Sequence, residues 1–131
     1  MIGRYQTTRA FRIALEERLK QTARKEGLDL MRLRRQVAFD RLLARLFAEM
    51  DPPWLLKGGY TFELRLGGKA RATKDLDLSV PNLQRLAASS EATLDTNTII
   101  LDHLRDTAAI DLGDGFEFRV GQPMIDLDAA P

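Results

Sequence analysis

Through the first fifty residues the apolar positions recur every three to four places, which is the period of a helix with one buried stripe. Phe11, Leu15 and Leu19 form such a stripe, Thr7 or Thr8 can cap the helix, and Gly27 is a natural stop after about Lys25. Asp29 can cap a second helix to about Met50, with Leu30, Leu33, Val37, Leu43, Leu46 and Phe47 as its buried face. Asp51-Pro52-Pro53 ends it, because a residue before proline is steered out of the helical region. The two helices predict a hairpin with its many arginines outside. The pattern then shortens. Trp54 to Lys57 reads as a short buried strand, Gly58-Gly59 as a turn, and Tyr60 to Leu66 as a helix with Phe62 and Leu66 four apart. Gly67-Gly68 breaks that helix, and Asp75 to Val80 reads as a strand stopped by Pro81. Residues 82–92 predict a loop. A third long helix follows from about Thr93 to Ala109, with Ile100, Leu104 and Ala108 inward, then a polar turn from Asp111 to Gly115. Phe116 to Val120 alternates as a strand does, and the last ten residues have no clear pattern.

The chain has 131 residues, 44% hydrophobic and 30% charged, enough for one domain with a core. It has no cysteine, which excludes disulfides, thiolate metal sites and cysteine catalysis. It has neither an apolar run of membrane-spanning length nor the apolar core of a signal peptide, so a cytoplasmic protein away from membranes is expected. Net charge is +1, but unevenly spread. Residues 1–50 hold 12 Lys and Arg against 6 Asp and Glu, whereas residues 81–131 hold 3 against 9. Either the two halves face each other or the basic half meets an anionic partner.

Residues 54–80 carry the candidate chemistry. Asp75 and Asp77, two apart on a strand, would point to one face and could share a hard cation such as Mg²⁺ or Mn²⁺. Alone the pair says little: with 12 aspartates in 131 residues, about one Asp-x-Asp is expected by chance, and a second stands at Asp126 and Asp128. Leu76, Leu78 and Val80 would fill the opposite face of the strand. Lys57-Gly58-Gly59 sits between a strand and a helix, where glycines let the backbone approach an anion and the helix N-terminus offers free N–H groups. Thr61 could add a hydroxyl; a plain tight turn would use the same glycines. Arg65, Lys69, Arg71 and Lys74 could hold triphosphate oxygens or steer a nucleic acid, or form an ordinary solvated loop. His103 is the only histidine and no G-x-S-x-G accompanies it, which sets aside a serine hydrolase.

Together these pieces resemble the nucleotidyltransferase superfamily with the polymerase-β-like fold, and more closely the AbiEii/AbiGii toxin family of bacterial nucleotidyltransferases. The stretch LKGGYTFELRLGGKARATKDLDL is similar to that family's Gly-Gly motif and its later Arg-x-[Thr/Ser]-Lys-Asp-[Leu/Ile]-Asp-Leu motif. VAFDRLLARL resembles the helix that precedes the site. The resemblance implies an α+β fold, with a small mixed sheet, packed helices and the N-terminal helical hairpin. It implies that Gly58 and Gly59 contact the triphosphate and that Asp75 and Asp77 bind the metal ions. Arg71, Thr73 and Lys74 would support the pocket or the phosphates, beside Lys57 and Thr61. A nucleoside triphosphate is then the substrate, with tRNA or another RNA as acceptor and a cognate antitoxin as partner.

Two departures from the family pattern stand out. Tyr60 follows the glycines where Thr or Ser is commoner, so its ring is expected in the core or stacked on a base, and Thr61 comes one position late. The third carboxylate that such enzymes use is not evident. Asp126, Asp128 and Glu117 are the stand-ins at hand. The expectation is therefore a single domain truncated at its C-terminus, which could bind nucleotide weakly, be inactive as this fragment, and self-associate through exposed apolar surface. The competing expectations are a non-catalytic nucleic-acid- or partner-binding module that uses Arg32, Arg34, Arg35, Arg41 and Arg45 as one surface, and a chain that binds its antitoxin through the acidic C-terminal half.

Overall fold

The structure, a computed structural model, describes residues 7–66, 74–81, 83–88 and 95–123. Helix α1 (Thr8–Glu26) starts where the Thr7 hydroxyl accepts the Ala10 N–H at 3.0 Å. It stops at Gly27, whose φ of 66° is the left-handed conformation that ends helices. Helix α2 (Leu30–Leu46) starts on Asp29, which accepts the Met31 N–H at 3.2 Å. The two form the expected hairpin, joined across its middle by Arg34, whose Nε donates to Glu16 Oε1 at 2.8 Å.

Helix α2 ends four residues before the expected Met50. The Ala48 N–H reaches back to Arg45 O at 3.3 Å, so the last turn tightens and the chain leaves the helix ahead of the prolines. Leu46 is fully buried, but Phe47, expected inward, is exposed, and Met50 is wholly so.

Strand β1 (Leu55–Lys57), helix α3 (Gly59–Leu66) and strand β2 (Asp77–Ser79) follow. The strands pair antiparallel, Leu55 with Ser79, Leu56 with Leu78 and Lys57 with Asp77. Among the described residues the sheet is thus two antiparallel strands and not a mixed one. Leu55 is exposed, so β1 is not the buried strand its composition predicts. Helix α3 also departs from its apolar pattern: Leu66 is exposed, and the inward face carries Tyr60 and Glu63.

The expected loop over residues 82–92 contains helix α4 (Leu83–Ala88), whose Leu86 is buried. Helix α5 (Thr96–Ala108) is capped by Asp95, which accepts the Thr98 N–H at 2.7 Å. It packs against both α2 and α4. Two adjacent rows are therefore covered: Ile99 and Thr107 are buried with Ala108, while Ile100 and Leu104 are half-buried. No helix among the described residues is long and apolar enough to cross a membrane.

Residues 116–120 keep their inward and outward alternation but have no strand partner among the described residues. Side chains take the place of a neighbouring strand. The Phe116 carbonyl accepts Arg45 Nη2 at 2.9 Å, and the Val120 carbonyl accepts Arg105 Nε at 3.4 Å.

Arg45 is the centre of this arrangement and overturns the expectation that the hairpin's arginines all face outward. Its side chain is completely buried. Nε donates to Ile110 O at 2.9 Å, and Nη1 donates to Arg41 O and Asp114 Oδ2, both at 2.9 Å. Nη2 donates to Asp114 Oδ1 at 2.7 Å and to Phe116 O. All five guanidinium N–H bonds are thereby used. The guanidinium also stands over the Phe118 ring, 5.0 Å from its centroid. Asp114 accepts Arg41 Nη1 at 3.4 Å and its own loop's Phe116 N–H at 3.0 Å.

The bidentate bond from Arg45 is the main reason that the Asp114 carboxyl is held down to about 2; burial opposes it, and the Phe116 N–H and the nearby Arg41 charge add to it. A lowered folded-state pKa means that this stabilisation is complete above the ordinary value of 3.8 and is lost as pH falls through about 2. Asp114→Ala, which strands a buried guanidinium, is expected to cost about 3–5 kcal/mol in urea unfolding at neutral pH. The gap between variant and wild type should shrink as the same measurement is taken down from pH 4 to pH 2.

Candidate functional site

The hairpin register puts two distant sequence motifs side by side. Directly opposed residues of an antiparallel pair project to the same face. Lys57, at the end of β1, therefore shares a face with Asp77, at the start of β2. The next residue, Gly58, has φ +81°. A Cβ built there would lie 3.0 Å from Asp77 Cβ and 3.1 Å from its Oδ2. Only glycine suits both the conformation and the clearance. Gly59 then opens α3, so that the free N–H groups of a helix start beside the aspartate.

The other predicted site residues are placed as follows. Lys57, Gly58, Gly59, Lys74, Asp75 and Asp77 are all exposed. Asp75 lies in a bend before β2 and not on the strand as expected. The reason is the length of its partner: β1 ends at Lys57, whose pairing with Asp77 closes the ladder, and Gly58 turns the backbone away. The common direction of the two carboxylates is therefore not fixed by strand geometry. Leu76, Leu78 and Val80 are half-buried, and of the three only Leu78 lies within β2. The Thr61 hydroxyl is shut off from water without a hydrogen-bond partner among the described residues. Lys69, Arg71, Thr73, Asp126 and Asp128 lie outside the described residues. Glu117 lines a pocket of about 320 Å³ with Ala108, Ile110 and Phe118. Among the described residues no three acidic or histidine side chains gather as a metal-binding group, so Glu117 does not complete a triad with Asp75 and Asp77.

The family model described as "Nucleotidyl transferase AbiEii toxin, Type IV TA system" matches residues 41–127, well over half of the chain. The chain belongs to the AbiEii toxin family. The match starts inside α2 and takes in the Gly-Gly turn, both aspartates and the Arg45–Asp114 pair. No curated protein and no solved structure matches the chain.

In this AbiEii-family chain, what the motifs do not show is how α3 is held. Tyr60 is buried against α2, its ring edge-on to Phe39 at 5.0 Å and 84°. Its hydroxyl donates to Asp40 Oδ1 at 2.8 Å. The position that commonly carries a short hydroxyl thus belongs to the core and is not free to stack on a base. Burial first, then the hydrogen bond to Asp40 and the negative charges of Asp40 and Glu63, push the phenol well above its ordinary range. One turn further on, Glu63 is buried and accepts Arg32 Nε at 3.3 Å and Gln36 Nε2 at 2.5 Å. Arg32, Gln36 and Asp40 are four residues apart along α2, and Tyr60 and Glu63 three apart on α3, so the helices meet along a polar seam. That spacing was present in the sequence as a periodic polar row.

Four of the five arginines in the row expected as a nucleic-acid surface have acidic partners within the chain. Arg32 pairs with Glu63, Arg34 with Glu16, and Arg41 and Arg45 with Asp114.

The two left-handed glycines Gly27 and Gly58 provide a controlled comparison. Nothing lies within 4 Å of a Cβ at Gly27, so Gly27→Ala should lower stability by about 1 kcal/mol from backbone strain alone. Gly58→Ala adds the contact with Asp77 and should lower it by about 2–3 kcal/mol in parallel thermal melts.

Proposed function

We propose that this AbiEii-family protein is a metal-dependent nucleotidyltransferase that moves a nucleotide from a nucleoside triphosphate to an acceptor, with tRNA or another RNA as the acceptor class. The observation that carries the reading is the contact of Gly58 with Asp77, which puts an anion-approachable turn beside an exposed carboxylate. Four features of the chain suit the substrate. The Gly58-Gly59 backbone and the start of α3 offer N–H groups to phosphate oxygens. Lys57, on the same sheet face as Asp77, supplies positive charge to the triphosphate. The Thr61 hydroxyl, without a hydrogen-bond partner among the described residues and next to the turn, has a hydrogen bond to give. Lys74 is exposed directly ahead of Asp75, and Arg71 and Thr73 precede it in the sequence.

The donor set also suits a hard cation. Asp75 and Asp77 are exposed carboxylates two residues apart, the oxygen ligands that Mg²⁺ or Mn²⁺ takes. When bound, such an ion neutralises phosphate charge and aligns the reacting oxygens. In the proposed reaction an acceptor hydroxyl oxygen forms a bond to the α-phosphorus of the triphosphate as its proton passes to water. The bond to the bridging oxygen breaks, and pyrophosphate leaves with the electron pair. The chain's part in this is to hold the triphosphate on the glycine turn and to keep Asp77 at a fixed distance from it. The type IV toxin–antitoxin family supports a cognate antitoxin as partner, and nucleotide chemistry of this kind suits the cytoplasm.

A thermal melt with Mg²⁺ and each of the four nucleoside triphosphates tests the reading. At triphosphate concentrations about a hundredfold above Kd, binding adds about 2.7 kcal/mol, enough to raise the midpoint by several degrees. The rise is expected to need Mg²⁺ and to vanish in Asp75→Asn/Asp77→Asn. A wild type indifferent to all four triphosphates would sink the proposal.

A further inference from the structure

We infer that Asp40, on α2 and outside the Gly-Gly and Asp-x-Asp motifs, is a positioning residue for the Gly58–Asp77 site. Helix α3 has eight residues, two turns that are not stable alone. Its orientation is therefore set by what holds it from outside. Tyr60 stands two residues beyond Gly58 and is the first residue of α3 to reach α2. Its ring is gripped by burial and by the edge of Phe39, contacts that are non-directional or weakly so. The hydroxyl is the directional part: it donates to Asp40 Oδ1 at 2.8 Å, with the Gln36 carbonyl at 3.4 Å as a weaker second acceptor, and the shorter bond sets the rotation of α3 about its axis. The Glu63 bonds to Arg32 and Gln36 hold the same helix one turn later.

At the other end of this lever there is little room. Gly58 approaches Asp77 so closely that an added carbon would stand 3.0 Å from the aspartate's Cβ. A small rotation of α3 shifts the glycine turn against the carboxylate. Asp40 is itself exposed, so truncating it opens no cavity and leaves the hydroxyl only its long bond to the Gln36 carbonyl, without unpacking the core. Its effect should therefore appear at the site more than in global stability. The consequence for nucleotide binding rests on the nucleotidyltransferase reading above; the consequence for the turn itself does not.

The test compares wild type with Asp40→Ala, Asp40→Asn and Tyr60→Phe by two readouts. One is affinity for ATP, GTP, CTP and UTP, each with Mg²⁺, by titration calorimetry. The other is amide hydrogen exchange at Gly58, Gly59 and Asp77 against α1 and α5 as internal references. Asp40→Ala and Tyr60→Phe should each weaken the preferred triphosphate about tenfold and speed exchange at the turn about tenfold, as loss of a hydrogen bond to a charged acceptor would. Exchange in α1 and α5 should stay at wild-type rates. Asp40→Asn keeps a carbonyl acceptor and should recover most of both effects. Wild-type exchange at the turn in Asp40→Ala would overturn the inference, as would Asp40→Asn behaving like Asp40→Ala. A wild type that binds no triphosphate would remove the nucleotidyltransferase reading, and the exchange readout would still decide the role of Asp40.

Discussion

A single buried ion pair ties this chain together. Arg45 leaves the end of α2 and spends every N–H on the segment that follows α5, on its own helix and on Asp114. A buried guanidinium is costly to desolvate, and complete hydrogen bonding together with an opposed carboxylate is what makes it tolerable. In return, the position of the segment 110–116 is defined relative to α2. Helix α2 in turn carries the seam that holds α3, so the hairpin helix is the reference for both the C-terminal segment and the glycine turn. A second long-range hydrogen bond joins the chain just after α2 to α5, His103 Nε2 lying 2.8 Å from Glu49 Oε1 beside the buried Trp54.

The charge asymmetry between the two ends of the chain finds part of its explanation here. Arg41 and Arg45 belong to the basic first fifty residues, and Asp114 to the acidic remainder. The halves face each other at that point. Of the basic row of α2, Arg45 is wholly inside the protein, and Arg32, Arg34 and Arg41 are paired with carboxylates of the same chain.

Much of the framework was legible in the sequence because its signals are local. Thr7, Gly27, Asp29 and the apolar periods mark α1 and α2 closely, since caps and stripes depend on neighbours a few residues away. The Gly-Gly turn and the aspartates were legible as motifs, and the family match covers them. What was not legible depends on partners far along the chain. Nothing local tells Arg45 from Arg35, and its burial follows from Asp114, sixty-nine positions away. Helix α3 misled because its buried face is Tyr60 and Glu63, which a hydrophobic pattern counts as polar or mixed. Phe116 to Val120 alternated correctly, but alternation reports which side is covered and not whether a second strand does the covering. The position of Asp75 was missed for a similar reason, since its partner strand is only three residues long.

The closeness of Gly58 to Asp77 also bears on how the site can be altered or transplanted. Two segments separated by eighteen residues behave as one piece of shape, because the missing side chain of one is the space occupied by the other. Grafting the glycine turn onto another scaffold without its aspartate-bearing strand would leave a gap, and grafting the strand without the glycine would leave a collision. The smallest portable unit is therefore the whole stretch from β1 through β2, carried with the face of α2 on which α3 rests.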